Sequence, residues 1–355
     1  MIKSTTRIVT CVYHSTRDSE MGGRGWPEEY YKFTLWNIFN LEIPVTIYCY
    51  PKDETIAKIQ AIIDTCKENI NKNIDVEIKH HVIQDHPLYH QITSQRNNIL
   101  AELNKDTITY PHGVLWTRNE VICHSKLPLL KKTFEEHPEM EHGIWIDAGI
   151  THWGLTPKTK GGMEVNGYHK YPDFYPFAET NVFNPKLGDG FVKLLTNHDI
   201  VNIGHKNNWY DGNIQWMHAD YLFDRPELKE LYAPGKEWKK NSEGRVCEVF
   251  GPHLNPITVF KKQVVGGIVG INRSKIDHIL GFYNDLLQYT LNHPKKVMFT
   301  EEPILSLYHN LYNPHLVEFC EWYHNIPGNP CRTEVDHIEK SFFTIWDDIT
   351  NYELL

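Results

Sequence analysis

Apolar residues fall along this chain in short blocks that alternate between two periods. Ile8-Val9-Thr10-Cys11-Val12-Tyr13 is a β-branched run suited to a buried strand, and it gives way to a polar, glycine-bearing stretch from His14 to Gly25. Glu28 to Phe39 carries Tyr31, Leu35 and Ile38 at helical spacing, and Val45-Thr46-Ile47-Tyr48-Cys49, between Pro44 and Pro51, reads as a second strand. Thr55 to Asn69 places Ile56, Ile59, Ile63 and Cys66 on one helical face. Strand, helix, strand, helix predicts an α/β protein.

Val76 to Val82 continues as a third strand, and Arg96 to Leu103 and Lys126 to Phe134 as helices. Gly143-Ile144-Trp145-Ile146 is a short strand that stops at Asp147-Ala148-Gly149. From Thr151 to Pro256 clean periodicity is lost among Gly, Pro, Asn and aromatic residues, which reads either as a loop-rich insertion or acceptor-binding subregion within a single domain spanning 1–355 or as a lobe whose elements the pattern does not reveal. Order returns in Gln263 to Ile271, a strand with glycines at 266, 267 and 270 where another group must come close. The amphipathic helix Ile276 to Leu291 follows, and Thr300-Glu301-Glu302-Pro303 reads as a helix start with Thr300 as cap.

The charge narrows the partners. The 36 Lys and Arg against 45 Asp and Glu leave −9, which gives no electrostatic reason for tight binding to nucleic acid or anionic lipid. No stretch approaches the roughly 20 apolar residues of a membrane span, and Met1 to Arg7 lacks the makings of a secretory leader. The 7 cysteines are scattered and never spaced as CxxC, so a reducing, cytoplasmic compartment is the expectation.

Chemistry gathers at three places. Asp147 stands at the end of a buried strand, where ligands of open α/β sheets bind, and its hard oxygens suit Mg²⁺ or Mn²⁺ held against a diphosphate. Gly266 and Gly267 line a strand along which a sugar could lie. Glu301 and Glu302 begin a helix, either as a base for an incoming hydroxyl or only as partners of the helix dipole. The aromatic stretch around Trp209, Tyr210, Trp216 and Tyr221 suits an acceptor site, with Asp211 and Asp220 as reserve acids.

These blocks, taken in order with Glu29-Tyr30-Tyr31, Ser125-Lys126 and Asn313-Pro314, resemble the HtrL/YibB/WlaTC family of bacterial and viral proteins, read as glycosyltransferases of the GT-A fold. Trp145-Ile146-Asp147-Ala148-Gly149 is the most specific element, and 151–256 has no counterpart. The resemblance implies a Rossmann-like mixed sheet flanked by helices and a nucleotide-diphosphate sugar, UDP-linked by expectation, lying across the carboxyl ends of the first strands. Asp147 would take the place of a metal-binding DxD aspartate, although Gly149 stands where the second acid would be, and His324 would be the late histidine on the same Mn²⁺ or Mg²⁺, ahead of His309 and His315. Arg17, Arg24, Arg96, Arg118 and Lys126 are the cations that could reach the diphosphate, and Thr10 and Tyr13 the contacts to base and ribose. The acceptor would be a surface glycan, or a modified nucleobase if the source is a phage.

Two other classes compete. His218-Ala219-Asp220 with His253, and Arg273 as a carboxylate anchor, is a two-histidine, one-carboxylate pattern of non-haem iron 2-oxoglutarate oxygenases. A catalytically inactive sugar-binding protein of the same fold is the other. His86 and His90 are four apart without the glutamate of a zinc hydrolase motif.

Overall fold

The computed structural model describes residues 5–12, 35–49, 51, 53–69, 73–103, 119–148, 183–205, 212–294, 300–318 and 349. In chain order these form β1 (Thr6–Val12), β2 (Val45–Cys49), α1 (Asp53–Asn69), β3 (Val76–His80), α2 (Tyr89–Leu103), α3 (Asn119–Glu136) and β4 (His142–Ile146). There follow α4 (Pro185–Asn197), β5 (Ile200–His205), α5 (Gly212–Phe223), α6 (Pro226–Tyr232), β6 (Trp238–Lys240), β7 (Val246–Phe250) and β8 (His253–Pro256). The last described elements are β9 (Gln263–Asn272), α7 (Ile276–Asn292), α8 (Glu301–Tyr312) and β10 (His315–Glu318).

Seven strands form one sheet in the order β10-β5-β9-β4-β1-β2-β3, and β6, β7 and β8 form a small antiparallel sheet. β1 is parallel to β2 and to β4, β2 to β3, and β10 to β5, while β9 runs antiparallel to both β4 and β5. The architecture is therefore the predicted mixed α/β sheet flanked by helices. From β1 the chain moves outward through β2 and β3 and then returns to β4 on the other side of β1. That reversal is a topological switch point, and the crevice beyond the carboxyl ends of β1 and β4 is where such sheets bind ligands.

Side-chain alternation puts a core on each face. Ile8, Val12, Ile144 and Ile146 face a layer with Ile59, Ile63 and Phe191, whereas Val9, Trp145 and Val269 share a row on the opposite face, against Leu130, Leu286 and Ile304. Strands buried on both faces read as continuous apolar runs, which is why β1, β2, β4 and β9 were visible in the sequence. The predicted face of α7 is buried through Ile276, Ile279, Tyr283, Leu286 and Leu287.

Two expectations are refined. Of the two readings of 151–256, the described residues favour regular elements that the pattern hides: α4 buries Leu187, Phe191, Leu194 and Leu195, and β5 is an inner strand of the main sheet. The glycines at 188 and 190 disguise that helix, yet a Cβ at 188 would lie 2.1 Å from the Leu41 carbonyl oxygen, so close packing demands them. Thr300 sits at the cap position of α8, but its side chain makes no capping bond. Glu301 and Glu302 provide the negative charge at that helix start instead.

Candidate active site

The switch point holds a compact ionic group. Lys126, on α3, projects its ammonium between strands and helix, with Nζ 2.9 Å from Asp147 Oδ1 and 3.0 Å from Oδ2. The same Nζ donates to the Gly266 carbonyl at 2.8 Å and is paired with Glu301 Oε1. Trp145 Nε1 donates to Asp147 Oδ1 at 2.6 Å, and the Asp147 amide continues the β4–β9 ladder onto the Gly267 carbonyl at 2.8 Å. Glu302 Oε1 accepts from the Gly266 amide at 3.1 Å. Four separate stretches of chain thus meet around one glycine.

Local sequence explains the placement. β4 ends at Ile146, so Asp147 emerges at the carboxyl edge, and the antiparallel β9, which starts at Gln263, brings Gly266 and Gly267 to that same edge. A Cβ at Gly266 would lie 2.0 Å from Glu301 Oε1 and 2.7 Å from its Cδ. The close approach expected of this glycine is therefore made by the protein's own carboxylate and not by a ligand, which corrects the donor-contact reading of Gly266. The Gly267 carbonyl is likewise taken by the Asp147 amide. Pro128, inside α3, cannot donate to the His124 carbonyl one turn back. His86 Nε2 supplies the missing donor at 3.3 Å, while its Nδ1 accepts from the Leu88 amide at 3.1 Å. His86 is thereby a neutral structural residue, its pKa lowered by burial.

One ammonium faces three carboxyls, and the imbalance sets the titration. The Lys126 side chain is 7% exposed and that of Glu301 4%, against 37% for Asp147. Burial alone would lower the Lys126 pKa, but Asp147 and Glu301 outweigh it and hold the ammonium well above its ordinary range. Burial raises Asp147, Lys126 opposes the rise, and Glu301 adds to it. Burial and then the neighbouring Glu301 push Glu302 up to about 7. The Cys11 and Cys123 thiols border the group, and burial raises both, with Asp147 adding to the first and Glu301 to the second.

The other expected site residues divide. Thr10 is fully buried on the sheet face carrying Ile8 and Val12, opposite Lys126, so alternation along β1 removes it from the donor contacts expected of it. Arg96 is turned along its own helix and donates to the adjacent Asn97 Oδ1 from Nε at 3.2 Å and from Nη2 at 3.1 Å. Asp220 is buried elsewhere, 3.3 Å from His293 Nε2 and 3.4 Å from Lys240 Nζ. Tyr13, Arg17, Arg24, Arg118, Asp211 and His324 lie outside the described residues. His315 stacks on His198 with ring centroids 4.0 Å apart.

The oxygenase pattern is not assembled. His218 Nδ1 donates to the Ile214 carbonyl at 2.8 Å and its ring packs on Phe260, whereas Asp220, two residues on, faces His293 and Lys240. His253 is exposed on β8, and the Arg273 guanidinium is engaged by the Met140 and His137 carbonyls. Nor do the described residues furnish a divalent-metal site: no three His, Cys, Asp or Glu side chains are placed to share one ion, and both Asp147 oxygens are already held by Lys126 and Trp145. The cation facing Asp147 is an ammonium.

Fold and site together define an α/β protein with an ionic, partly open group at the crevice where such sheets bind ligands. No protein-family model matches the sequence, and no curated protein matches it. Among solved structures, core-mannan synthase A from Aspergillus fumigatus, in a Mn/GDP form, is similar at 10% identity over 93% of this chain and 78% of that one, with a TM-score of 0.43. The 4-diphosphocytidyl-2C-methyl-D-erythritol synthase of Anaerococcus prevotii is similar at 9% over 96% and 99%, with a TM-score of 0.32. CMP:2-keto-3-deoxy-manno-octonic acid synthetase, complexed with CTP, is similar at 8% over 78% of each chain, with a TM-score of 0.31. Likenesses of this degree leave the activity to be argued from the site. No helix among the described residues is long and apolar enough to cross a membrane.

Proposed function

We propose that this chain is a glycosyltransferase of the GT-A type that moves a sugar from a nucleotide-diphosphate donor, UDP-linked by preference, to a hydroxyl acceptor. The observation that carries the reading is the Lys126–Asp147–Glu301 group at the switch point, with Glu302 beside it as a carboxyl able to change protonation near neutral pH. Asp147 is the open member and accepts a hydrogen bond from a donor-sugar hydroxyl. Lys126 keeps it ionised and fixed. Glu302 takes the proton of the acceptor hydroxyl as its oxygen bonds to the anomeric carbon and the bond from that carbon to the phosphate oxygen breaks, which inverts the configuration.

A Mn²⁺ or Mg²⁺ ion arriving with the diphosphate would draw its shell from phosphate oxygens, water and residues outside the described set, His324 among those expected. The test is release of nucleoside diphosphate from UDP-, GDP- and CDP-sugars, with Mn²⁺ and with EDTA, beside thermal shifts by the free nucleotides. One donor is cleaved slowly by the wild type and not by Asp147→Ala, which keeps the fold because Lys126 retains Glu301. Wild-type turnover in that variant, or no release and no stabilisation with any nucleotide, overturns the reading.

A further inference from the structure

Two adjoining clefts outside the Lys126 group form one trough. The first, of about 590 Å³, lies between α5 and α7 and is lined by Trp216, Asp220, Asp224, Asp285 and Tyr289. The second, of about 360 Å³, lies between α2 and α7 and is lined by His90, Gln91, Ser94, Gln95 and Asn98. Asn292 lines both, and Gln288 of the first cleft donates to Gln91 Oε1 of the second at 2.8 Å. Each volume falls within the range of small-ligand sites.

The linings differ in a way that selects a ligand. The second cleft is walled by side-chain amides and a hydroxyl without a carboxylate, lysine or arginine, and amides offer donor and acceptor side by side, as adjacent sugar hydroxyls require. Gln95 is only 7% exposed, yet its Nε2 has no hydrogen-bond partner. A buried donor left unmade costs about 1–3 kcal/mol, which a ligand oxygen recovers once the amide turns toward the cleft that Gln95 lines. In the first cleft the acceptors are held in place. Asp285 takes two bonds from Arg225, at 3.0 and 3.1 Å, and one from Tyr221 at 2.8 Å, and Asp224 takes the Tyr289 hydroxyl at 2.8 Å. Three carboxylates, one of them matched by Arg225, face Lys240 and His293 and leave no cation among the described lining residues free for phosphate, sulfate or a sugar acid, while Trp216 and Tyr289 offer ring faces to the apolar side of a pyranose.

The trough lies at the edge of the sheet that carries the ionic group. β9 runs from that edge to the opposite one, and α7, whose last turn lines both clefts, returns packed against α8, the helix that begins at Glu301. We infer that this trough binds a neutral or amino-sugar oligosaccharide, as the acceptor of the transfer proposed above, on which that role rests. Asp220 is then a binding residue, not the reserve acid expected from the sequence.

The test separates the two readings. Binding of glucose-, galactose-, mannose- and N-acetylglucosamine-ended di- and trisaccharides is measured by saturation-transfer NMR and calorimetry on the full chain, with sialylated and phosphorylated sugars as anionic probes. At least one neutral or amino sugar binds the wild type and binds tenfold or more weakly to Gln95→Met and to the surface variant Asn98→Ala. Gln95→Met melts at or above the wild-type temperature, because it removes an unpaired donor while keeping volume, an outcome a purely structural glutamine would not give. Equal binding by the wild type and both variants, preference for the anionic probes, or no binding by any neutral sugar each overturns the inference. Donor cleavage by the wild type reads the transferase and saccharide binding reads the trough, so either can fail alone.

Discussion

The two ends of the central strands handle charge in opposite ways. At the amino edge, Arg7 is matched by Asp75 at 2.8 Å with further bonds to the Val45 carbonyl and Thr46 Oγ1, and Arg273 is spent on the Met140 and His137 carbonyls. At the carboxyl edge, one ammonium is shared among Asp147, Glu301 and the nearby Glu302, with a carboxyl left near 7. Balanced charges hold the strands together and leave nothing to react. The surplus of acid at the other end costs stability and leaves groups able to change protonation, as the proposed transfer requires.

The widest separation of the two edges is expected from Glu302→Gln. As a base Glu302 must be ionised, so turnover in the wild type rises with pH through about 7 and then levels. The variant loses that limb and falls by about 10²–10⁴-fold, read from donor cleavage against pH in the presence of acceptor. Stability carries the opposite sign. Between the ordinary glutamate range and about 7, the unfolded chain gives up a proton that the fold retains, so stability falls as pH rises across that window and is flat above it. Chemical denaturation at stepped pH shows a shallower decline for Glu302→Gln.

Next in size is Lys126→Met. It strands Glu301 as an unpaired buried charge and costs about 3–5 kcal/mol in urea unfolding. The double variant with Glu301→Gln recovers most of that loss, and a cycle showing no coupling would break the picture of a shared ammonium. Gly266→Ala is smaller, about 1–3 kcal/mol, because the new methyl must displace the Glu301 carboxylate that Lys126 holds. It also lowers donor cleavage. Smallest is Arg7→Met at the amino edge, about 1 kcal/mol, since Asp75 is 60% exposed; donor cleavage is unchanged.

Much of the carboxyl edge was legible because strands buried on both faces announce themselves. Ile144, Trp145 and Ile146 end abruptly at an aspartate, and the acids at 301 and 302 open a helix, so Asp147, Glu301 and Glu302 were visible as candidates, with the order of the blocks along the chain giving the two glutamates their weight. Lys126 was not separable from Arg96, because its standing depends on Glu301, 175 residues away in the chain. The indole bond from Trp145 to Asp147 and the fit of Glu301 over Gly266 depend on β9 lying antiparallel beside β4, an order that periodicity does not encode. Thr10 failed for a local reason: period-two alternation along β1 sends it to the far face. The amides of the trough were hidden because polar residues on a helix surface look alike until two helices are set side by side.

The glycine at 266 joins segments that leave the ribosome far apart in time. Lys126 and Asp147 are made early, and they meet their third partner only when residue 301 has been added and α8 has docked against β9. Until then the growing chain holds a lysine and an aspartate at the end of an incomplete sheet, without the acid that completes their network. Pairing across such separations is slow compared with local helix formation. The completed ionic group is therefore among the last things folding provides, and the proposed transfer has no site in a nascent chain before that step.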